Sequence, residues 1–307
     1  MVDVIIPTYQ PDDDLIRLFD SLRKQTANIG KIIVMNTEEG EWEKYVLNHR
    51  FKPEDYDIEI HHISKREFGH GKTRNRGVKY SNADIFILMT QDAVPADEYF
   101  AEKLIEPLYD EKTAASYARQ LAKEDASTPE RITRQFNYPE ESMLKSAKDI
   151  ETLGIKTYFC SNVACAYRRD VFDSLGGFVN RTIFNEDMIY AAGAVKAGYN
   201  IAYAADARVY HSHNYSGRDQ FHRNVDLGVS QAEHPEIFAD VPSEGEGKKM
   251  VSVTVKELFK MGEALKVIPY IYVCACRYVG YKIGKNYKRL PVGFVKKCST
   301  NPKYFDK

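Results

Sequence analysis

The sequence predicts an α/β fold: a mainly parallel sheet flanked by helices, followed by a helical, basic C-terminal extension. Three observations point there. The first hundred residues alternate short β-rich runs with helix-patterned stretches, as crossover helices on a parallel sheet require. Each apolar run is followed by polar residues able to carry chemistry, which is where open α/β sheets bind ligands. The stretch 248–307 turns basic, with fourteen Lys/Arg against three acidic residues, while keeping helix-like runs.

Strands are expected over residues 2–6, 31–35, 58–63 and 84–89. Between the first two, Pro11 and Asp12, Asp13 and Asp14 open a helix whose positive end favours acidic groups; Leu15, Leu18, Phe19 and Leu22 form its buried stripe. Further helices are expected over 73–80 and 96–108. From 113 to 162 the pattern is polar and irregular, with Pro129 and Pro139, and reads as an insertion covering one side of a site. Helices over 169–175 and 186–197 stop at Gly176-Gly177 and Gly198. Residues 201–210 read as strand, continuing into a strand-like 208–213. A linker at 243–247 separates domain 1–242 from domain 243–307.

The 307 residues are 43% hydrophobic and 28% charged, and carry a formal net charge of -1. That is ordinary globular composition, and it removes whole-chain attraction to nucleic acid. The five cysteines lack zinc-site or disulfide spacing and fit a reducing compartment. The start of the chain has no basic, apolar and small-residue sequence of a secretory signal. The apolar run 267–276 is broken by Pro269 and falls short of the ~20 residues of a spanning helix. A cytoplasmic protein is expected. Lys256, Lys260, Lys266, Arg277, Lys282 and Lys285, mixed with Phe259, Leu265, Tyr270, Tyr272 and Tyr278, allow it to lie on the inner face of an anionic membrane or to pack on protein, a second copy included.

Four strand ends carry candidate chemistry: Pro7-Thr8-Tyr9, Asn36-Thr37-Glu38, the loop 68–75 and Thr90-Gln91-Asp92. Tyr9 can stack on a base, Asn36 can bond its edge, and Arg74 can reach a base carbonyl or a phosphate oxygen. Gly69 and Gly71 let backbone approach a ligand ahead of a helix, although the loop is neither a Walker A nor a dinucleotide fingerprint. Asp92 can hold Mg²⁺ or Mn²⁺ against a diphosphate; a turn former is the plainer reading of a lone aspartate there.

Together Val4-Ile5-Ile6-Pro7-Thr8-Tyr9, Thr90-Gln91-Asp92-Ala93-Val94-Pro95 and Phe184-Asn185-Glu186-Asp187 resemble the inverting family 2 glycosyltransferases of GT-A fold. Phe68-Gly69-His70-Gly71-Lys72-Thr73-Arg74-Asn75, Phe136-Asn137-Tyr138-Pro139 and His211-Ser212-His213-Asn214-Tyr215-Ser216 look most like the bacterial rhamnosyltransferase branch, which uses dTDP-L-rhamnose. The resemblance implies a GT-A, Rossmann-like, mixed and mainly parallel sheet. It also implies transfer of a sugar from a nucleotide-sugar donor to a hydroxyl of a cell-surface polysaccharide or lipid-linked glycan precursor. Asp187 is implied as the base, with Glu186 positioning it or the acceptor. Pro7, Thr8, Tyr9, Asn36, Arg74, Gln91 and Asp92 are expected to bind the donor. Asp92 with His211 or His213 is expected to bind the metal, and Ser161 and Asn162 to border the acceptor. Thr90 stands where the family commonly has the first aspartate of Asp-x-Asp. A UDP-hexose donor and a non-catalytic nucleotide-sugar scaffold are the alternatives; Glu186-Asp187 and the His211 segment argue against the scaffold.

Overall fold

The computed structural model of the chain describes residues 1–239, 241 and 244–306. Its strands are β1 (Val2–Thr8), β2 (Ile29–Thr37), β3 (Ile58–Ile63), β4 (Ile85–Met89), β5 (Val94–Pro95), β6 (Thr113–Leu121), β7 (Met143–Lys145), β8 (Ala164–Arg168) and β9 (Asn200–Tyr210). The helices are α1 (Asp13–Leu22), α2 (Glu39–His49), α3 (His70–Val78), α4 (Phe100–Ile105), α5 (Thr128–Asn137), α6 (Ile150–Leu153), α7 (Arg169–Ser174), α8 (Glu186–Lys196), α9 (Gly217–Glu233), α10 (Pro235–Phe238), α11 (Glu244–Lys260), α12 (Val267–Lys285) and α13 (Val292–Cys298).

The described chain divides into two compact units. The first comprises Met1–Leu121, Tyr138–Arg181 and Glu186–His211; the second comprises Ala122–Asn137, Thr182–Asn185 and the chain from Ser212 onward. The expected boundary at 242/243 falls on Pro242 and Ser243, outside the described residues, and α11 is already helical at 244.

The first unit holds the sheet, in the order β3-β2-β1-β4-β8-β6-β9-β5, with β7 on β9. Strands β3, β2, β1 and β4 run parallel. β8 enters antiparallel between β4 and β6, and β6 and β9 are parallel. The mixed α/β fold expected from the sequence is therefore present. Val4, Ile5 and Ile6 of β1 and Phe86 to Met89 of β4 are buried on both faces, which is why they read as unbroken apolar runs. On α1 the stripe Leu15, Leu18, Phe19 and Leu22 is buried, and the Asp12 carboxylate caps the helix by accepting the Asp14 N–H.

The segment 113–162 departs from the expectation of an irregular insertion. It supplies β6, an interior strand, together with α5, β7 and α6. β6 reads Thr-Ala-Ala-Ser-Tyr-Ala-Arg-Gln-Leu; its small residues lack β-branched bulk and become strand because two neighbours saturate its backbone. The helix expected over 96–108 is α4 alone, continued by a 3₁₀ turn that begins at Glu106-Pro107, since proline cannot donate inside a helix. β9 ends at Tyr210. Its partner β6 stops at Leu121, whose carbonyl accepts the His211 N–H as the last rung, so 211–213 is not strand.

In the second unit α9 and α12 pack backbone to backbone. A Cβ on Gly284 would lie 2.1 Å from the Val225 carbonyl oxygen, and one on Gly228 2.4 Å from that of Tyr281. Among the described residues no helix is long and apolar enough to cross a membrane.

Candidate active site

The carboxyl ends of β1, β4 and β6 lie on one edge of the sheet, joined there by the residues entering β8. Thr90, just past β4, donates its N–H to the Val163 carbonyl at 3.0 Å. One residue earlier, the Asn162 N–H donates to Asp187 Oδ2 at 3.0 Å, and the Asn162 amide donates to Glu186 Oε1 at 3.1 Å. The segment carrying Asp92 and the carboxylate pair opening α8 thus meet at the same edge.

Glu186 and Asp187 have unlike surroundings despite being neighbours. Glu186 is buried and pairs with Arg74 at 3.0 Å. Burial by itself would raise its carboxyl, but Arg74, His70 and the Asn162 amide outweigh that and hold it below its ordinary value. Asp187 keeps some solvent contact, and its Oδ1 accepts the Met188 N–H at 2.8 Å. Desolvation and then the charge of Glu186 raise it from 3.8 to about 7, against the pull of the two N–H groups and Arg74. One carboxylate therefore stays charged, while the other sits where a proton can be taken and given near neutral pH.

Arg74 spends its guanidinium on Glu186 and on the His70 carbonyl, 3.1 Å away. Its Nε has no hydrogen-bond partner among the described residues. The expected loop at 69–75 is, from His70 on, the start of α3, which begins three residues earlier than expected, and it also packs differently. Gly71 faces the chain rather than an open cradle: a Cβ there would lie 2.1 Å from the Val179 carbonyl oxygen. Asn75 clamps the same segment, donating to the Phe178 carbonyl at 2.8 Å and accepting the Phe178 N–H at 3.0 Å. The motif that reads as a ligand loop thus braces the segment between α7 and α8 that leads to the carboxylates.

At the end of β1, Gln91 bridges to Tyr9: its carbonyl accepts the Tyr9 N–H at 2.8 Å and its amide donates to the Tyr9 carbonyl at 3.2 Å. The Tyr9 ring is exposed, with the Lys65 ammonium 4.7 Å from its centroid. Thr8 and Asn36 are buried; Thr8 donates to Asn36 Oδ1 at 3.2 Å, and the Asn36 amide donates to the Glu38 carbonyl at 2.9 Å and lies 3.0 Å from His62 Nδ1. Pro7, half-buried, precedes them on β1. The Asn36 amide orders the turn after β2.

Asp92 Oδ2 lies 3.5 Å from His211 Nε2. A carboxylate oxygen facing an imidazole nitrogen is a donor set that suits Mn²⁺, so the residues present fit a divalent ion. His213 follows two residues later, in the second unit. Behind His211, Gln120 at the end of β6 has its carbonyl oxygen 3.0 Å from His211 Nδ1 and its amide 2.9 Å from Ser161 Oγ. Asn162 is buried and also accepts a 2.8 Å bond from the Tyr167 hydroxyl. Sequence reasoning misses Gln120 and Asn75. Gln120 sits inside β6 directly after Arg119, in a stretch of small residues and not past an apolar run, so no pattern in the sequence marks it.

The family model described as glycosyl transferase family 2 matches residues 3–176, more than half of the chain. The chain belongs to glycosyl transferase family 2. Over its full length this family 2 glycosyltransferase is 38% identical to the O-antigen chain rhamnosyltransferase RfbN of Salmonella typhimurium, with 99% of this chain and 96% of that protein covered. It is 36% identical to the O-antigen chain rhamnosyltransferase WbaN of Salmonella anatum, with 99% and 95% covered. Its fold resembles the mannosyltransferase PcManGT from Pyrobaculum calidifontis, solved in complex with GDP-Man and Mn²⁺ (TM-score 0.62, 13% identity, 94% and 87% of the chains covered). It also resembles S. aureus TarS 1-349 in complex with UDP-GlcNAc (TM-score 0.51, 15% identity, 94% and 92% covered). The GT-A fold is thereby that of glycosyltransferases.

Proposed function

We propose that this enzyme transfers L-rhamnose from dTDP-L-rhamnose, with inversion, to a hydroxyl of a cell-surface polysaccharide or lipid-linked glycan precursor. The observation that carries the reaction type is the Glu186–Asp187 pair: a fixed charge next to a carboxyl raised to about 7. Asp187 accepts the acceptor's hydroxyl proton. The acceptor oxygen forms a bond to the sugar's anomeric carbon as the bond from that carbon to the diphosphate oxygen breaks, the electron pair leaving with the diphosphate. A single displacement inverts the anomeric centre and needs no covalent enzyme intermediate.

Asp92 and His211 would hold Mg²⁺ or Mn²⁺, which would supply charge stabilisation to the departing diphosphate. Tyr9 offers its exposed ring to the base. Pro7, Thr8, Asn36 and Gln91 shape the donor pocket behind it, and Arg74 acts through Glu186. Asn162 aims both carboxylates, with Ser161 beside it bordering the acceptor. The rhamnose assignment rests on the full-length identity to two proteins named O-antigen chain rhamnosyltransferases.

The enzyme works at the inner face of the membrane, a reading supported by α12. Ile268, Ile271, Tyr272 and Val279 are exposed along one stripe of that helix, which contains no acidic residue and ends in Lys282 and Lys285.

The test is a donor panel with O-antigen precursor lipid as acceptor and Mn²⁺ or Mg²⁺ present. Expected is turnover of dTDP-L-rhamnose well above UDP-glucose, UDP-galactose and GDP-mannose, with the product's anomeric configuration inverted by NMR. Preferred turnover of a UDP-hexose would overturn the donor assignment, and a retained configuration would overturn the role of Asp187.

A further inference from the structure

Gln120 lies almost wholly buried, 3% exposed, at the carboxyl end of β6. A buried primary amide is retained in a core only when its donors and acceptor are used, and both ends of this one face functional candidates. An amide oxygen can only accept, so its approach to His211 Nδ1 at 3.0 Å requires that nitrogen to carry the proton. A neutral imidazole has one N–H. Its lone pair is then on Nε2, the nitrogen 3.5 Å from Asp92 Oδ2. The same amide's N–H donates to Ser161 Oγ at 2.9 Å. The Ser161 hydroxyl oxygen lies 3.5 Å from the Val163 N–H, an approach at the limit of hydrogen bonding that keeps the hydroxyl beside the backbone entering β8.

We propose that Gln120 is a positioning residue for the metal site: by accepting from His211 Nδ1–H it selects the tautomer and ring orientation that present Nε2 as the ligand nitrogen beside Asp92. The inference rests on the metal reading above and names a residue that the sequence does not mark. It also gives the metal side and the base side one shared part. Gln120 bonds to Ser161, and the next residue, Asn162, holds Asp187 through its N–H and Glu186 through its amide.

Outer partners of this kind alter metal affinity by about 10- to 100-fold when removed. The full-length protein is titrated with Mn²⁺, followed by the EPR signal of the free ion, alone and again with dTDP. Gln120→Met keeps the volume but cannot accept from Nδ1–H, and should weaken Mn²⁺ binding by about 10-fold or more. Gln120→Glu keeps an acceptor at the same place, with the Ser161 hydroxyl turning to donate, and should bind Mn²⁺ at least as tightly as the parent. A merely structural role would weaken both variants alike, and that result overturns the proposal.

Asp92→Ala separates the two readings. If Asp92→Ala loses Mn²⁺ while Gln120→Met retains parental affinity, only the role of Gln120 falls. If neither the parent nor the variants bind Mn²⁺, the metal reading falls and takes this inference with it. A second measurement needs no variant: in ¹⁵N-histidine-labelled protein at alkaline pH, the His211 Nε2 signal should be that of an unprotonated, lone-pair nitrogen and Nδ1 that of an N–H. The reverse pattern refutes the proposal outright.

Discussion

Replacing Asp187 by asparagine tests the site through stability and rate at once. The folded protein holds this carboxyl at about 7 where an unhindered aspartate titrates at 3.8. Between those values the folded state keeps a proton that the unfolded chain has lost, so stability falls as pH rises and levels off above the folded value. A raised acid contributes in this direction; a depressed one would do the opposite. From about pH 5 to about pH 8.5 the loss attributable to Asp187 is roughly 3 kcal/mol, at about 1.4 kcal/mol per unit, as an upper figure because the group keeps some water contact. The Asp187→Asn side chain cannot ionise. Its amide also cannot accept both the Asn162 and Met188 N–H groups, so a pH-independent cost of about 1 to 3 kcal/mol is expected on top. Urea denaturation of both proteins at the two pH values isolates the difference: the variant should lose the parental decline with pH. Turnover should fall by about 10² to 10⁴, the usual worth of a general base, with donor binding retained. A parental pH slope in the variant, or a parental rate, would refute the assignment of Asp187 as the group poised near neutrality.

Further outcomes follow from other contacts. Arg74→Met leaves Glu186 buried without its partner and should cost about 3 to 5 kcal/mol, much of it recovered in the double variant with Glu186→Gln; additive losses in urea melts would dismiss the pair. Gly284→Ala places a methyl 2.1 Å from the Val225 carbonyl oxygen and 2.8 Å from Gly228 Cα, forcing α9 and α12 apart at a cost of about 1 to 3 kcal/mol; an unchanged melting temperature would contradict the close packing of the two helices. Parental activity should fall through pH 7 towards pH 6, because protonated Asp187 cannot accept the acceptor's proton; a flat kcat/KM profile there would contradict the base role. Ile268→Glu with Tyr272→Glu puts two carboxylates on the exposed stripe of α12, and flotation with phosphatidylglycerol vesicles should drop at least several-fold; undiminished flotation would remove the bilayer from that face.

Much of the first unit was legible because its strands are buried on both faces and therefore carry continuous apolar runs. Positions such as Pro7-Thr8-Tyr9 and Thr90-Gln91-Asp92 were found by taking the residues just past those runs. β6 escaped because alanine, serine and threonine carry no period that distinguishes strand from loop. With it went Gln120. The sequence singles out Gly69 and Gly71 for approach to a ligand, whereas a Cβ on Gly71 would meet the Val179 carbonyl oxygen at 2.1 Å and one on Gly69 would make only ordinary contacts; sequence does not show which atoms lie beside a glycine.

The sequence by itself determined the alternation of strand and helix, the family, and the residue types that carry the chemistry, because those depend on local propensity, apolar period and short spacing. Tertiary structure alone decided which of two adjacent carboxylates stays charged. Arg74 and Asn162, 112 and 24 residues from Glu186 along the chain, set that difference. A pKa depends on burial and on charges a few ångströms away in space, and neither is written in the order of residues.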